Sequence, residues 1–153
     1  MGWRGRVDRR EVSLGLIGRR FVLPGAVAAA LEQVFEEPVN RIIVIERSRY
    51  AKLHRGMRAT TRRDRILLAM SGAEFAANPE MLLHEYYHVL CQWQSGHLTR
   101  WRYVLESARY GYWNNRYEQE AREFSAAALS EYCRYLEEAA SRLQSVPAAI
   151  RGA

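Results

Sequence analysis

Two histidines and a glutamate stand close together in the middle of the chain, in the sequence His84-Glu85-Tyr86-Tyr87-His88. Residues four apart lie on the same face of a helix. The two imidazoles can therefore bind one zinc ion, while the glutamate reaches a water beside it. Zinc lowers the pKa of such a water, and the glutamate takes its proton as the oxygen attacks a carbonyl group. The pattern predicts a zinc site with His84 and His88 as ligands and Glu85 as general base.

The third zinc ligand must come from elsewhere in the chain, because a catalytic zinc needs three protein ligands and one open position. A histidine six residues after His88 would complete the metzincin pattern, but that position holds Gln94. His97 follows at a different spacing and is a weaker candidate. Glu118 and Glu120 lie on a predicted helix downstream. Either glutamate would complete a His, His, Glu ligand set if that helix packs across the first.

The helix that carries the histidines has clear boundaries in the sequence. Asn78 is a favourable N-cap, and Pro79 suits the first helical position. Ser95-Gly96 is expected to end the helix after Gln94. Hydrophobic patterning predicts the other elements, and together they give an α+β fold. We expect helices over residues 24–37, 98–109 and 115–143, a strand over 39–46 and a hairpin over 59–70, with Ser71-Gly72 as a break after it.

The length and composition favour a single folded domain. The chain has 153 residues, of which 48% are hydrophobic and 26% are charged, so disorder is excluded and a substantial core can form. We expect a loose basic arm over residues 1–20, one domain over 21–146 and a tail over 147–153. No apolar run is long enough for a transmembrane helix, so we expect no membrane partner. The sequence leaves the oligomeric state open.

Positive charge is concentrated in the first half of the chain. Residues 1–65 carry 15 basic and 7 acidic side chains, whereas residues 66–153 carry 8 and 10. An arginine-rich surface can bind nucleic acid. Because no nucleic-acid-binding motif accompanies the charge, we do not expect this partner.

Cysteine content points to a reducing compartment. Cys91 and Cys133 are too few for a disulfide framework and are expected to be free thiols, with Cys91 buried. We therefore expect a cytoplasmic protein. Arg19-Arg20 precedes an apolar run and could belong to a twin-arginine export signal, so export stays an alternative. The apolar run is only about ten residues long, however, and continues into glutamates at helical spacing, which favours an ordinary helix.

These motifs together resemble the gluzincin zinc metallopeptidases, in which a helical Glu-x-x-Ala follows the HExxH motif. Residues 59–129 are more closely similar to the minigluzincins, small single-domain bacterial proteins. The matching segments are Thr60 to Leu68, Leu82 to Leu90, Gly111-Tyr112 and Asn115 to Ala121. The resemblance implies a zincin-like α+β fold, in which a short twisted sheet packs on an active-site helix and a glutamate helix.

The resemblance also implies a function and a ligand set. It implies zinc-dependent hydrolysis of a peptide or protein substrate, with Glu118 as the third ligand of Zn²⁺. Tyr112, or less well Tyr110, would donate a hydrogen bond to the oxyanion. An edge strand, expected here over Ile66 to Met70, would pair with the extended substrate.

One departure from the family pattern concerns the support of the zinc ligands. Many gluzincins place an Asp four residues after the ligand glutamate, where it orients a zinc-bound histidine, but this position holds Arg122. Another group, such as a backbone carbonyl, must take its place, or the site binds zinc weakly. Residues 118–126 also resemble the ImmA/IrrE-type metallopeptidases, although no helix-turn-helix accompanies them. Two other functions stay open: a non-catalytic zinc-stabilised interaction domain and an Arg-rich nucleic-acid-binding protein.

Overall fold

The computed structural model describes residues 18–53 and 58–145. Most of the predicted basic arm and the whole predicted tail lie outside these residues. The described elements follow one another as β1 (Arg19–Phe21), α1 (Gly25–Phe35), β2 (Ile43–Glu46), α2 (Arg49–Leu53), β3 (Ala59–Thr61), β4 (Arg65–Leu68), α3 (Gly72–Ala76), α4 (Pro79–Tyr87), α5 (Arg100–Tyr110) and α6 (Arg116–Ser145). A π-helical turn, His88–Trp93, continues α4. The prediction of an α+β fold is confirmed, with helices forming most of the structure.

The four strands form one mixed sheet in the order β1-β2-β4-β3. β2 and β4 run parallel, while β1 and β3 pair antiparallel with them on the outside. β1 includes the last two residues of the segment that was predicted as an arm. The expectation that Ile66 to Met70 form an edge strand is wrong, because β4 has a neighbour on each side and β3 is the edge. Ile66, Leu67 and Leu68 are all buried, as an interior strand requires.

The sheet buries both of its faces, which explains the continuous apolar runs of its central strands. Val44 and Ile66 belong to the main core, with residues of α1, α4 and α6. Ile45 and Leu67 point to the opposite face, where they contact Ala51 of α2. Successive residues of a strand alternate between faces, so both positions of each pair must be apolar.

The main helices agree closely with the predicted segments. α6 has 30 residues, which corresponds to a length of about 45 Å, and both α1 and α4 pack along it. None of the helices in the described part of the chain is both long and apolar enough to cross a membrane.

The two short helices α2 and α3 were not predicted. Ser71-Gly72 was expected to break the chain, but Ser71 is the N-cap of α3. Its side chain accepts a hydrogen bond from the N–H of Glu74, and the Glu74 carboxylate accepts one from the N–H of Ser71. This capping box stabilises a helix too short to show a hydrophobic period.

Candidate metal centre and active site

The N-terminus of α4 sets the position of both histidines. The side chain of Asn78 accepts a hydrogen bond of 3.1 Å from the N–H of Met81, and Pro79 is the first helical residue, as predicted. His84 lies one turn before His88 on the same helix face. The His88 side chain is buried, and that of His84 is half-buried.

The start of α6 sets the position of the third donor. The Asn115 side chain accepts a hydrogen bond of 2.9 Å from the N–H of Tyr117. Glu118 follows in the first turn, where the positive end of the helix favours a carboxylate. Since α4 packs directly on α6, the buried Glu118 side chain faces the two histidines.

The side chains of His84, His88 and Glu118 converge on one point. The Nε2 atoms of the two imidazoles are 3.0 Å apart. Glu118 Oε2 lies 3.1 Å from Nε2 of His84, and Oε1 lies 3.5 Å from Nε2 of His88. One donor atom from each residue lies within 4.8 Å of the others. Two imidazole nitrogens and a carboxylate oxygen are a common protein ligand set for catalytic zinc, so this cluster fits the metal that the sequence implied.

The surroundings shift the pKa values of the two carboxyl groups in opposite directions. Burial raises the pKa of Glu118, but the hydrogen bonds from His84 and His88 outweigh this effect and hold it well below the usual range. Burial also raises the pKa of Glu85, and here the nearby imidazoles of His88 and His84 only partly oppose it. Glu118 therefore stays an anion, while Glu85 has the higher proton affinity that a general base needs.

Gln92 orients the second histidine, and the sequence analysis missed it. Its Oε1 lies 2.6 Å from Nδ1 of His88. Its Nε2 donates hydrogen bonds of 3.0 Å to the Tyr117 carbonyl and to the Glu120 carboxylate. Glu120 therefore supports Gln92 and is not part of the donor cluster. The spacing of four residues between His88 and Gln92 on one helix was a signal that could have revealed this contact.

The position at which the family pattern has an Asp contributes nothing to histidine orientation here. Arg122 donates a hydrogen bond of 2.6 Å to the backbone carbonyl of Trp113. The sequence analysis suggested a backbone carbonyl as the group that orients a histidine, but the side-chain carbonyl of Gln92 has this role for His88. His97, the weaker candidate ligand, lies outside the donor cluster, and its Nε2 atom is 3.7 Å from Oε2 of Glu120. Cys91 is exposed rather than buried, and it also lies outside the cluster.

Two tyrosines approach the donor cluster. The hydroxyl of Tyr103, which the sequence analysis also missed, donates a hydrogen bond of 2.9 Å to Oε1 of Glu118. Burial and then the Glu118 carboxylate raise the pKa of both Tyr103 and Tyr112. Both hydroxyls therefore keep their protons at neutral pH and can donate. Tyr110, the alternative donor, is exposed and does not line the cavity described next.

A cavity of about 290 Å³ opens over the cluster. His84, Glu85, His88 and Glu118 line it, together with the edge strand β3. Tyr103 and Val104 of α5 and Tyr112, which follows α5, also line it. The indole N–H of Trp93 donates a hydrogen bond of 3.1 Å to the Thr61 hydroxyl, which ties the edge strand to the π-helical turn. α5 has no buried residue, although it forms part of the cavity wall.

Comparison of the chain with known protein families, curated proteins and solved structures finds no match. The fold and the site define an α+β protein with a largely buried His, His, Glu cluster that lines a cavity. A function for the chain must therefore be inferred from the geometry of its side chains.

Proposed function

We propose that the chain is a zinc-dependent peptidase that cleaves a peptide bond by water attack, with His84, His88 and Glu118 as the zinc ligands. The observation that carries this proposal is the shared cavity, because the three donor side chains and the Glu85 carboxyl line the same space. A purely structural zinc site is closed by four protein ligands. A site with three donors, a carboxyl of raised pKa and an open cavity is better suited to catalysis.

Each residue has a distinct task in this mechanism. Bound Zn²⁺ supplies a Lewis acid that polarises the substrate carbonyl and lowers the pKa of water. Glu85 takes a proton from the attacking water on its carboxylate and then delivers it to the leaving amine. Tyr112 donates a hydrogen bond to the oxygen on which negative charge develops. Gln92 holds the imidazole of His88 in one tautomer and orientation.

The edge of the sheet and the two helices that carry the donor residues line the same cavity. The edge strand β3 lies beside the cavity and is positioned to pair with an extended peptide. We therefore propose a zincin-like fold that resembles the minigluzincins, with α4 as the active-site helix and α6 as the glutamate helix. The free thiols of Cys91 and Cys133 support a reducing compartment such as the cytoplasm.

Zinc content and hydrolysis together test the proposal. Mass spectrometry should find about one zinc per wild-type chain, none in His84→Ala and less in Glu118→Ala. Glu85→Gln should keep its zinc and lose hydrolysis of casein, whereas Glu80→Gln, an exposed change on the same helix, should lose neither.

The alternative functions give different results in the same experiment. Wild-type protein that holds zinc without hydrolysing any peptide would indicate a zinc-stabilised interaction domain. Wild-type protein that takes up no zinc when the ion is supplied would contradict the peptidase proposal. It would favour the alternative of an Arg-rich nucleic-acid-binding protein.

A further inference from the structure

A groove adjoins the candidate active-site cavity. Its volume is about 760 Å³, and it shares Tyr50, Arg62, Trp93, Leu98 and Arg100 with the cavity. A substrate bound over the donor cluster can therefore extend into this groove without leaving the protein surface.

The groove carries a strong positive charge. Arg62, Arg63, Arg65 and Arg100 line it, and among the described lining residues Asp64 is the one that is acidic. Asp64 forms an ion pair of 2.8 Å with Arg65. Within residues 18–53 and 58–145, none of the ion pairs involves the other three arginines. Their charge is therefore available to a bound ligand.

Arg62 is held in place at the junction of the groove and the cavity. Its guanidinium donates hydrogen bonds of 2.9 Å to the Tyr50 hydroxyl and 3.1 Å to the Thr61 carbonyl, and it lies over the Tyr50 ring. Both partners are neutral, so they fix the side chain without cancelling its charge. A guanidinium has five N–H donors, so further donors are available to a ligand. A fixed arginine loses little conformational entropy when it binds a carboxylate.

We propose that this groove is a subsite for an acidic side chain of the substrate, and that Arg62 is the residue that determines this specificity. The inference rests on the proposed peptidase function and names its substrate class, peptides with Asp or Glu near the cleaved bond. The Arg62 carboxylate contact would be charge-assisted and directional. A peptide fits better than a nucleic acid, because Arg62 directly follows the edge strand β3, with which an extended peptide can pair.

Cleavage of a proteome-derived peptide mixture tests the specificity. The wild-type enzyme should show Asp or Glu enriched about 5-fold or more at a position close to the cleaved bonds. Arg62→Gln should abolish this enrichment, and Arg62→Lys, which keeps the charge, should retain part of it. Arg41→Gln is the matched control, because Arg41 is exposed and lines neither space. Cleavage without acidic enrichment in the wild type would overturn the inference.

A binding experiment separates this inference from the peptidase proposal. Two fluorescein-labelled decapeptides, identical except that four Glu in one are Gln in the other, are titrated against the full-length Glu85→Gln chain supplied with zinc. The acidic peptide should bind about 10-fold more tightly, and adding Arg62→Gln should remove the difference while adding Arg41→Gln should not. This readout needs no hydrolysis, so the discrimination supports the subsite even if the wild type cleaves nothing.

Three binding results would overturn the proposed subsite. The first is equal affinity for the two peptides. The second is an equal loss in the Arg62→Gln and Arg41→Gln chains, which would assign the attraction to net charge. The third is tighter, Arg62-dependent binding of a ten-nucleotide single-stranded DNA, which would identify the groove as a nucleic-acid site.

Discussion

The Nδ1 atom of His88 lies 2.6 Å from Oε1 of Gln92, one turn further along the same helical segment. Because Nε2 of Gln92 already donates to Tyr117 and Glu120, its carbonyl oxygen must face the imidazole. Nδ1 of His88 therefore carries a proton, which makes Nε2, the nitrogen nearest His84 and Glu118, the one available to a metal ion. A contact within one helical segment thus sets the tautomer that a metal ligand needs.

Loss of the Gln92 side chain should weaken zinc binding. We expect Gln92→Ala to lower the zinc affinity about 10–100-fold, because the His88 imidazole loses the group that orients it. Competition with a chromogenic chelator measures the change. Gln94→Ala is the matched control, since Gln94 is exposed and its side chain donates a hydrogen bond to the Arg63 carbonyl rather than to the donor cluster. Equal affinities in the two variants would show that Gln92 does not support the site.

Tyr110 and Tyr112, on either side of Gly111, should differ in their effect on turnover. Tyr112→Phe should reduce kcat about 10²–10³-fold with little change in KM, because a hydrogen bond to the developing oxyanion is lost. Tyr110→Phe should leave kcat unchanged, since Tyr110 does not line the cavity. Steady-state kinetics on one peptide substrate measures both. A large loss in Tyr103→Phe with Tyr112→Phe close to wild type would assign the donor role to Tyr103 instead.

Gly72 should tolerate no side chain. A Cβ atom there would overlap the ring of Phe21, so Gly72→Ala should lower the free energy of unfolding by about 1–3 kcal/mol. Gly25→Ala is the control, because among the described residues its Cβ would meet only Leu143, at an ordinary 3.7 Å. Urea unfolding measures both variants. If Gly72→Ala is as stable as Gly25→Ala, the close packing of β1 on α3 is not needed for stability.

Glu46 should make the stability of the fold depend on pH. Its carboxylate accepts hydrogen bonds from the N–H of Gly72 and from Arg19, and these two contacts lower its pKa below the ordinary value of 4.5. The stabilisation is therefore fully present above the unfolded-state pKa and is lost as the pH falls through the lower folded-state pKa.

The matching variant tests this dependence. Glu46→Gln should be less stable than the wild type at pH 7, and the difference should shrink below about pH 4 as the wild-type carboxyl gains a proton. The free energy of unfolding between pH 3 and pH 7 measures it. A difference that stays constant over this range would contradict the assigned role of Glu46.

The sequence was sufficient to predict the parts of the site that depend on local geometry. Asn78 and Pro79 start α4 as expected, and the spacing of His84 and His88 places them on one face of the helix. The choice between Glu118 and Glu120 was different, because both lie on α6 and only its packing against α4 decides which one faces the histidines. The resemblance pointed to Glu118, and the structure brings that residue into the cluster.

Contacts between distant segments could not be predicted in the same way. The Tyr103 hydroxyl reaches Glu118 from another helix, and no spacing in the sequence encodes that approach. The order of the strands could not be predicted either. An apolar run such as Ile66 to Leu68 indicates a strand buried on both faces, but it does not indicate which strands pair with it or which strand forms the edge of the sheet. The wrong assignment of the edge strand follows from this.

Helix α5 lacks a buried residue, although Tyr103 and Val104 on it form part of the cavity wall. A helix of 11 residues is marginal by itself, and little burial means a small free energy for local opening. The backbone amides of α5 should therefore exchange with deuterium much faster than those in the middle of α6. The wall of the proposed active site would then be its least stable part, able to open for substrate entry while the proposed metal donors stay fixed on α4 and α6.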